Sequence, residues 1–159
     1  MIIKTIRYED FTSYKKPSMV IGFPSCSFKC CKEGKFPIEI CQNFALAISG
    51  NIEISAKKLV ERYLSNPITS AIVCGGLEPM DSFEDLIEFI SQLRQQSEDD
   101  VIIYTGFYES EIQDKIEQLK QFTNIIIKFG RYKPNEEPHY DEVLGVKLAS
   151  SNQHGKRIS

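Results

Sequence analysis

The chain has 159 residues, 42% of them hydrophobic, and a formal net charge of −3 at pH 7. This length predicts one domain over residues 1–159, too short for a complete eight-stranded barrel. The acidic balance argues against a nucleic-acid partner, and no apolar run approaches the ~20 residues that span a bilayer. The first ten residues are too charged for a signal peptide, so we expect a cytoplasmic protein with reduced thiols.

Short apolar runs alternate with helix-like segments along the chain. The runs are bounded by Gly, Pro or polar residues, which is typical of buried parallel strands. They lie at residues 19–23, 70–74, 101–105, 124–128 and 143–148. Between most of them, residues 55–64, 82–95 and 109–122 carry apolar side chains at helical spacing. Ser55 is a candidate N-cap, and Ser82 with Asp85 resembles a capping box. This alternation predicts βαβ units and a parallel sheet.

The first run leads into a cysteine-rich loop at residues 24–43. Cys26, Cys30, Cys31 and Cys41 fall within it. Cysteine this dense in a non-secreted chain favours metal binding over disulfides. Soft thiolates on a loop suit an iron–sulfur cluster, and three well-spaced ligands would leave one iron open. A structural zinc site completed by Cys31 or Cys74 is an alternative, as are unligated thiols.

Glycine or polar residues follow each predicted strand, at the edge where parallel sheets place their sites. They are residues 24–26, 75–76, 106, 130 and 150–152, and the cysteine loop lies at the same edge. Lys128 ends a strand, so we expect its ammonium group to point into the site. Cys74 is predicted to be a core residue, and the charged run 131–137 a solvated loop.

Four motifs in order resemble the radical S-adenosylmethionine (SAM) superfamily, and within it the activating proteins of the anaerobic ribonucleoside-triphosphate reductase. They are Cys41-Gln42-Asn43, Gly75-Gly76-Leu77-Glu78-Pro79, Ile103-Tyr104-Thr105-Gly106 and Ser150-Ser151-Asn152-Gln153. The resemblance implies Cys26, Cys30 and Cys41 as the cluster ligands. The expected cofactor-binding residues are Asn43, Gly75, Gly76, Glu78, Pro79, Tyr104, Thr105, Lys128, Ser151 and Asn152, and no catalytic residue is assigned.

The chain departs from the family pattern in three places. Ten residues separate Cys30 from Cys41, where the family has two, and Leu77 lengthens the glycine motif by one residue. The family's Gly-Pro-Gly-Ile-Arg segment stands here as Lys15-Lys16-Pro17-Ser18-Met19, without its glycines.

The resemblance implies an α/β fold, an incomplete, open (β/α) barrel of about five or six parallel strands (a partial TIM barrel). It implies an oxidoreductase-type enzyme with a [4Fe–4S] cluster and SAM, which it cleaves to a 5′-deoxyadenosyl radical. The implied partners are the large subunit of an anaerobic ribonucleotide reductase-like glycyl-radical enzyme and an electron donor such as flavodoxin or ferredoxin. Two alternatives are a radical SAM enzyme that modifies another peptide or protein, and a non-catalytic metal-binding or interaction module.

Overall fold

A central sheet of six strands organises the computed structural model, which describes residues 1–159. The strands are β1 (Ile2–Ile3), β2 (Thr5–Asp10), β3 (Ser18–Phe23), β4 (Ile52–Glu53), β5 (Ala71–Gly76), β6 (Asp100–Tyr104), β7 (Ile125–Phe129), β8 (His139–Asp141), β9 (Val146–Leu148) and β10 (His154–Arg157). The helices are α1 (Lys29–Gly34), α2 (Phe44–Ala47), α3 (Ala56–Leu64), α4 (Phe83–Arg94) and α5 (Gln113–Leu119). Short 3₁₀ turns occur at Ile38–Ile40, Pro79–Ser82 and Glu109–Glu111.

Four parallel strands form the centre of the sheet, in the order β3, β5, β6 and β7. They correspond to the first four predicted strands, which are thereby confirmed. Their apolar runs are continuous because both faces of these strands are covered. In β6, Val101 and Ile103 pack into one core while Ile102 packs into the other.

The expected partial barrel is wrong. The sheet is mixed, because its two edge strands, β2 and β10, are antiparallel to their neighbours. It does not close into a barrel, because β2 and β10 do not pair with each other. Of the seven strand pairings in the protein, four are antiparallel. The predicted strand at residues 143–148 does not join the sheet; its last three residues form β9, which pairs with β8 in a separate hairpin. The two edge strands are rich in charged residues, so a search for apolar runs passes over them.

Different elements cover the two faces of the sheet. The larger core lies beneath α3, α4 and α5 and includes Leu59, Phe89 and Ile116. The smaller core, on the other face, joins the sheet to Tyr14 and to Leu144 and Leu148 around the β8–β9 hairpin. No helix contributes to this second core, and at the carboxyl end of that face α1 and α2 border an open cavity.

The helix predictions are confirmed in part. Ser55 caps α3, and its Oγ accepts a hydrogen bond of 3.2 Å from the amide of Lys58. Ser82 precedes α4 without capping it, since its hydroxyl lies 2.9 Å from that of Ser25 instead. The third segment divides into a 3₁₀ turn and α5, and Cys74 is fully buried as expected. None of the helices has the length and apolar character that a membrane span requires.

A buried carboxylate, that of Asp100, forms a cluster of polar contacts at the amino ends of the parallel strands. Asp100 begins β6, and its Oδ2 accepts hydrogen bonds from the Tyr14 hydroxyl (3.0 Å) and Lys16 Nζ (2.6 Å). Its Oδ1 accepts from Arg157 Nη2 at 2.7 Å. Burial by itself would raise the pKa of Asp100, but the hydrogen bonds from Lys16, Arg157 and Tyr14 outweigh burial and lower it. Asp100 therefore ties the N-terminal segment and β10 to the centre of the sheet.

Replacement of Asp100 by alanine should lower the free energy of unfolding by about 2–3 kcal/mol, because it leaves the buried Tyr14 hydroxyl and two cations without their acceptor. Denaturant unfolding at neutral pH measures this loss, with Glu88→Ala on the exposed face of α4 as the control. Since the folded-state pKa of Asp100 is lowered, its contribution is present above the unfolded pKa and is lost as the pH falls through the folded one. A difference between wild type and variant that persists undiminished in strong acid would contradict this assignment.

Candidate metal centre

A cavity of about 610 Å³ opens at the carboxyl ends of the parallel strands. Each central strand brings residues to it, as the predicted topology requires. The predicted site residues that line it are Cys26, Cys30, Cys41, Asn43, Gly75, Gly76, Glu78, Tyr104, Thr105 and Lys128. Pro79, Ser151 and Asn152 do not line it.

The cysteine loop leaves β3 and folds along the cavity. Helix α1 carries Cys30 and Cys31, and the 3₁₀ turn Ile38–Ile40 leads directly to Cys41. Two hydrogen bonds fasten the start of the loop to the segment after β5: the amide of Glu78 donates to Ser25 O at 2.8 Å, and that of Ser27 to Asp81 Oδ2 at 2.7 Å. Most of the ten residues between Cys30 and Cys41 thus lie in regular structure, in α1 and the 3₁₀ turn.

The thiols of the loop are close to one another, and all five cysteines of the chain are free. Cys30 Sγ and Cys31 Sγ lie 3.9 Å apart. Interaction with the Cys41 thiol lowers the pKa of Cys30, and the same interaction raises the pKa of Cys41. Burial raises the pKa of Cys26 to about 11, although the amide of Phe28 donates to its sulfur at 3.2 Å.

This donor set fits an iron–sulfur cluster. Thiolates are the ligands that such clusters take, and three of them border one cavity here. No group of three or more cysteine, histidine or acidic side chains is arranged to hold a single metal ion. The fit to a cluster therefore rests on the donor type and on the shared cavity.

Two glycines let neighbouring strands meet at the floor of the cavity. Gly76 has a φ of +78°, and a Cβ there would lie 2.8 Å from the Cα of Gly22. A side chain at position 76 would both strain the backbone and push β3 and β5 apart.

Glu78 joins the ends of β5 and β6. Its Oε2 accepts a hydrogen bond of 2.8 Å from the amide of Gly106, and its Oε1 one of 3.1 Å from that of Met80. Burial raises the pKa of this carboxyl group, while the bonds from Gly106, Thr105 and Met80 oppose that rise. Both carboxylate oxygens of Glu78 are therefore engaged in hydrogen bonds with the backbone at the cavity wall.

Lys128 places a buried ammonium group at the cavity. Its Nζ donates to Gly130 O at 3.0 Å and lies 5.9 Å from the ring centre of Tyr104. Burial lowers its pKa to about 8, and the charge of Glu78 opposes that shift. The ring of Tyr104 is fixed in turn, because its hydroxyl donates to Ser13 O at 2.6 Å. The cavity thus combines thiols with an ammonium group that has spare donors.

The family model of the 4Fe-4S single cluster domain matches residues 22–154. The chain belongs to this family. The match runs from the end of β3 to the start of β10, with the whole cysteine loop inside it, and supports a [4Fe–4S] cluster as the cofactor of this domain. No curated protein matches the chain.

Two residues of the C-terminal motif of this 4Fe-4S single cluster domain, Ser151 and Asn152, bond to neighbouring loops and do not line the cavity. Ser151 donates from its amide (2.8 Å) and its hydroxyl (2.9 Å) to Glu136 Oε2. Asn152 Nδ2 donates to Arg131 O at 2.9 Å and to the Tyr108 hydroxyl at 3.2 Å. Their expected part in SAM binding stays a prediction, while the next residue, Gln153, does line the cavity.

Sequence reasoning missed several residues around the cluster site of the domain. The expectation of a solvated loop at residues 131–137 is wrong for Arg131, which is buried against the cysteine loop. Its position two residues after β7, at the carboxyl end of a parallel strand, could have indicated that Arg131 lies near the cavity. Tertiary folding alone brings the N-terminal segment and the β8–β9 hairpin to the cavity, where they contribute Arg7, Thr12, Ser13 and Lys147.

Proposed function

We propose that the protein is a radical SAM enzyme that generates a glycyl radical on a larger partner protein. The observation that supports this most directly is one cavity that combines the three spaced thiols, the glycine floor of β5 and the buried ammonium group of Lys128. When bound, the reduced cluster supplies the electron that splits the sulfonium of SAM into methionine and a 5′-deoxyadenosyl radical.

In this proposal the three thiols Cys26, Cys30 and Cys41 hold the cluster at the cavity edge. Lys128 supplies the positive charge that binds the carboxylate of SAM, since only one of its hydrogen-bond donors is used by the protein. Gly75 and Gly76 carry no side chains, so the methionyl end of SAM can approach their backbone. Tyr104, with Thr105 beside it, forms the wall next to Lys128.

The partner segment has room on the open part of the second sheet face. Val20, Val73 and Tyr104 line the cavity there, on the sheet face whose core contains no helix residue. A backbone segment that carries a glycine could lie against this apolar surface, close to the strand ends where the radical would form. The glycine would lose a Cα hydrogen atom to the radical, which gives 5′-deoxyadenosine. A flavodoxin or ferredoxin is the proposed source of the electron.

Anaerobic mixing of the reconstituted protein with reductant, SAM and the large subunit of an anaerobic ribonucleotide reductase tests the proposal. We expect a glycyl doublet in the electron paramagnetic resonance spectrum that requires SAM and is absent with Cys30→Ser. Cleavage of SAM without a radical on the partner would contradict the assigned target and favour the modification of another peptide. Cluster uptake without binding or cleavage of SAM would contradict the radical SAM assignment itself.

A further inference from the structure

Helix α1 carries two of the thiols but has little support of its own. It is six residues long, and no side chain caps its N-terminus. The residues that flank it, Phe28 and Lys35, both have left-handed backbones, with φ of 51° and 53°. So short a helix is not stable alone, and left-handed non-glycine residues persist only where surrounding contacts hold them. Cys31 is its one buried residue, so the place of α1 depends on contacts from elsewhere in the fold.

Two ion pairs reach α1, and the one from Arg131 is the shorter, since Lys29 Nζ lies 3.5 Å from Glu111 Oε1. The side chain of Arg131 is only 5% exposed, and Nη2 donates to Glu33 Oε1 on α1 at 2.9 Å. Nε also lies 2.6 Å from Glu33 Oε2, although it is poorly aligned to donate. The same guanidinium group binds Glu111 in a bidentate manner, with Nη2 to Oε1 at 2.6 Å and Nη1 to Oε2 at 2.7 Å. One side chain thus joins the cysteine helix to the segment that follows β6.

Further contacts hold both the guanidinium group and the backbone of Arg131 in place. Nη1 of Arg131 also donates to Gly106 O at 3.2 Å, and the guanidinium group lies 4.7 Å from the ring centre of Tyr108. Its carbonyl oxygen accepts the bond from Asn152 Nδ2. The preceding Gly130 has a φ of +102°, and a Cβ there would lie 2.6 Å from Asn152 O. The backbone before Arg131 therefore has one tightly defined path, which aims the side chain at α1.

We propose that Arg131 is a positioning residue for the cluster, which holds α1 through Glu33 so that Cys30 stays at the cavity edge. The inference rests on the assignment of Cys30 as a cluster ligand. Glu33 is exposed and contributes nothing to the core, so its contacts with Arg131 are what tie its side chain to the rest of the fold. A lysine at position 131 cannot reproduce the fork that binds Glu33 and Glu111 together.

The test compares how fast the reconstituted full-length chain releases iron to a ferrous chelator under anaerobic conditions. Glu33→Gln should release iron about three- to tenfold faster than wild type, with an unchanged thermal midpoint, because it weakens one charge-assisted contact. Glu39→Gln makes the same charge change at an exposed position of the same loop and should behave as wild type. Arg131→Lys should also release iron faster, and addition of Glu33→Gln to it should add little, since the contact with Glu33 is already lost in Arg131→Lys.

Release from Glu33→Gln at the wild-type rate would overturn the inference and leave Arg131 as part of the scaffold only. Equal acceleration in Glu33→Gln and Glu39→Gln would also overturn it, because the effect would then follow loop charge. A wild-type chain that takes up no iron would refute the cluster assignment itself, a failure visible before any variant is compared. Uptake of iron without SAM cleavage would refute the proposed function while leaving the role of Arg131 intact.

Discussion

Replacement of Cys26, Cys30 or Cys41 by serine, one at a time, should reduce the iron and sulfide retained after anaerobic reconstitution to background. Serine keeps the size of the side chain but does not offer the soft thiolate that iron requires. Iron and sulfide analysis and the visible absorption of the cluster measure the loss, and the proteins should remain folded by circular dichroism.

Cys31 and Cys74 provide the matched controls for this series. Cys31→Ser should keep its cluster although its thiol lies 3.9 Å from that of Cys30, because adjacent side chains are poorly placed to serve as two ligands. Cys74→Ala should also keep it, since Cys74 lies in the core beneath the helices. Loss of the cluster in Cys31→Ser together with its retention in Cys41→Ser would show that the third ligand was assigned to the wrong cysteine.

Replacement of Lys128 by methionine should weaken SAM binding about 10- to 100-fold while iron content stays unchanged. The change removes a buried charged donor and preserves the volume of the side chain. Calorimetry on the reconstituted protein measures the affinity, and Lys57→Met on the exposed face of α3 is the control.

The pH dependence of SAM binding gives a second test of Lys128. Because burial lowers its pKa to about 8, the ammonium group is charged below that pH and neutral above it. Wild-type affinity for SAM should therefore fall as the pH rises through about 8, whereas that of Lys128→Met should stay level over the same range. A variant that binds SAM as tightly as wild type at pH 7 would exclude this role for Lys128.

The central strands could be predicted from the sequence because burial on both faces leaves a direct mark on composition. Each of the four parallel strands is a run of apolar residues, and the two better helices carry clear apolar stripes. The prediction that their ends form one site follows from topology alone, and the cavity lies there.

The parts that could not be predicted depend on residues whose surroundings are set at long range. β2 and β10 read as polar segments, yet each pairs with an apolar strand at an edge of the sheet. The apolar run at residues 143–148 has the composition of a further parallel strand, but its last three residues form β9, which pairs with β8 outside the sheet. Arg131 stands in a charged stretch typical of a solvated loop, but its partners are distant in sequence, among them Glu111 and Glu33, 20 and 98 positions away.

The position of Asp100 has a consequence for how such a protein can diversify. Asp100 begins the strand that Tyr104 ends, and four residue steps along a strand separate them by about 13 Å. The polar cluster that secures the chain termini thus lies at one end of the sheet, and the cofactor residues lie at the other. Changes of sequence beside the thiols, such as a longer segment before Cys41, therefore leave the polar contacts of Asp100 intact. The sheet thus separates the contacts that hold its strands together from the residues that border the cavity.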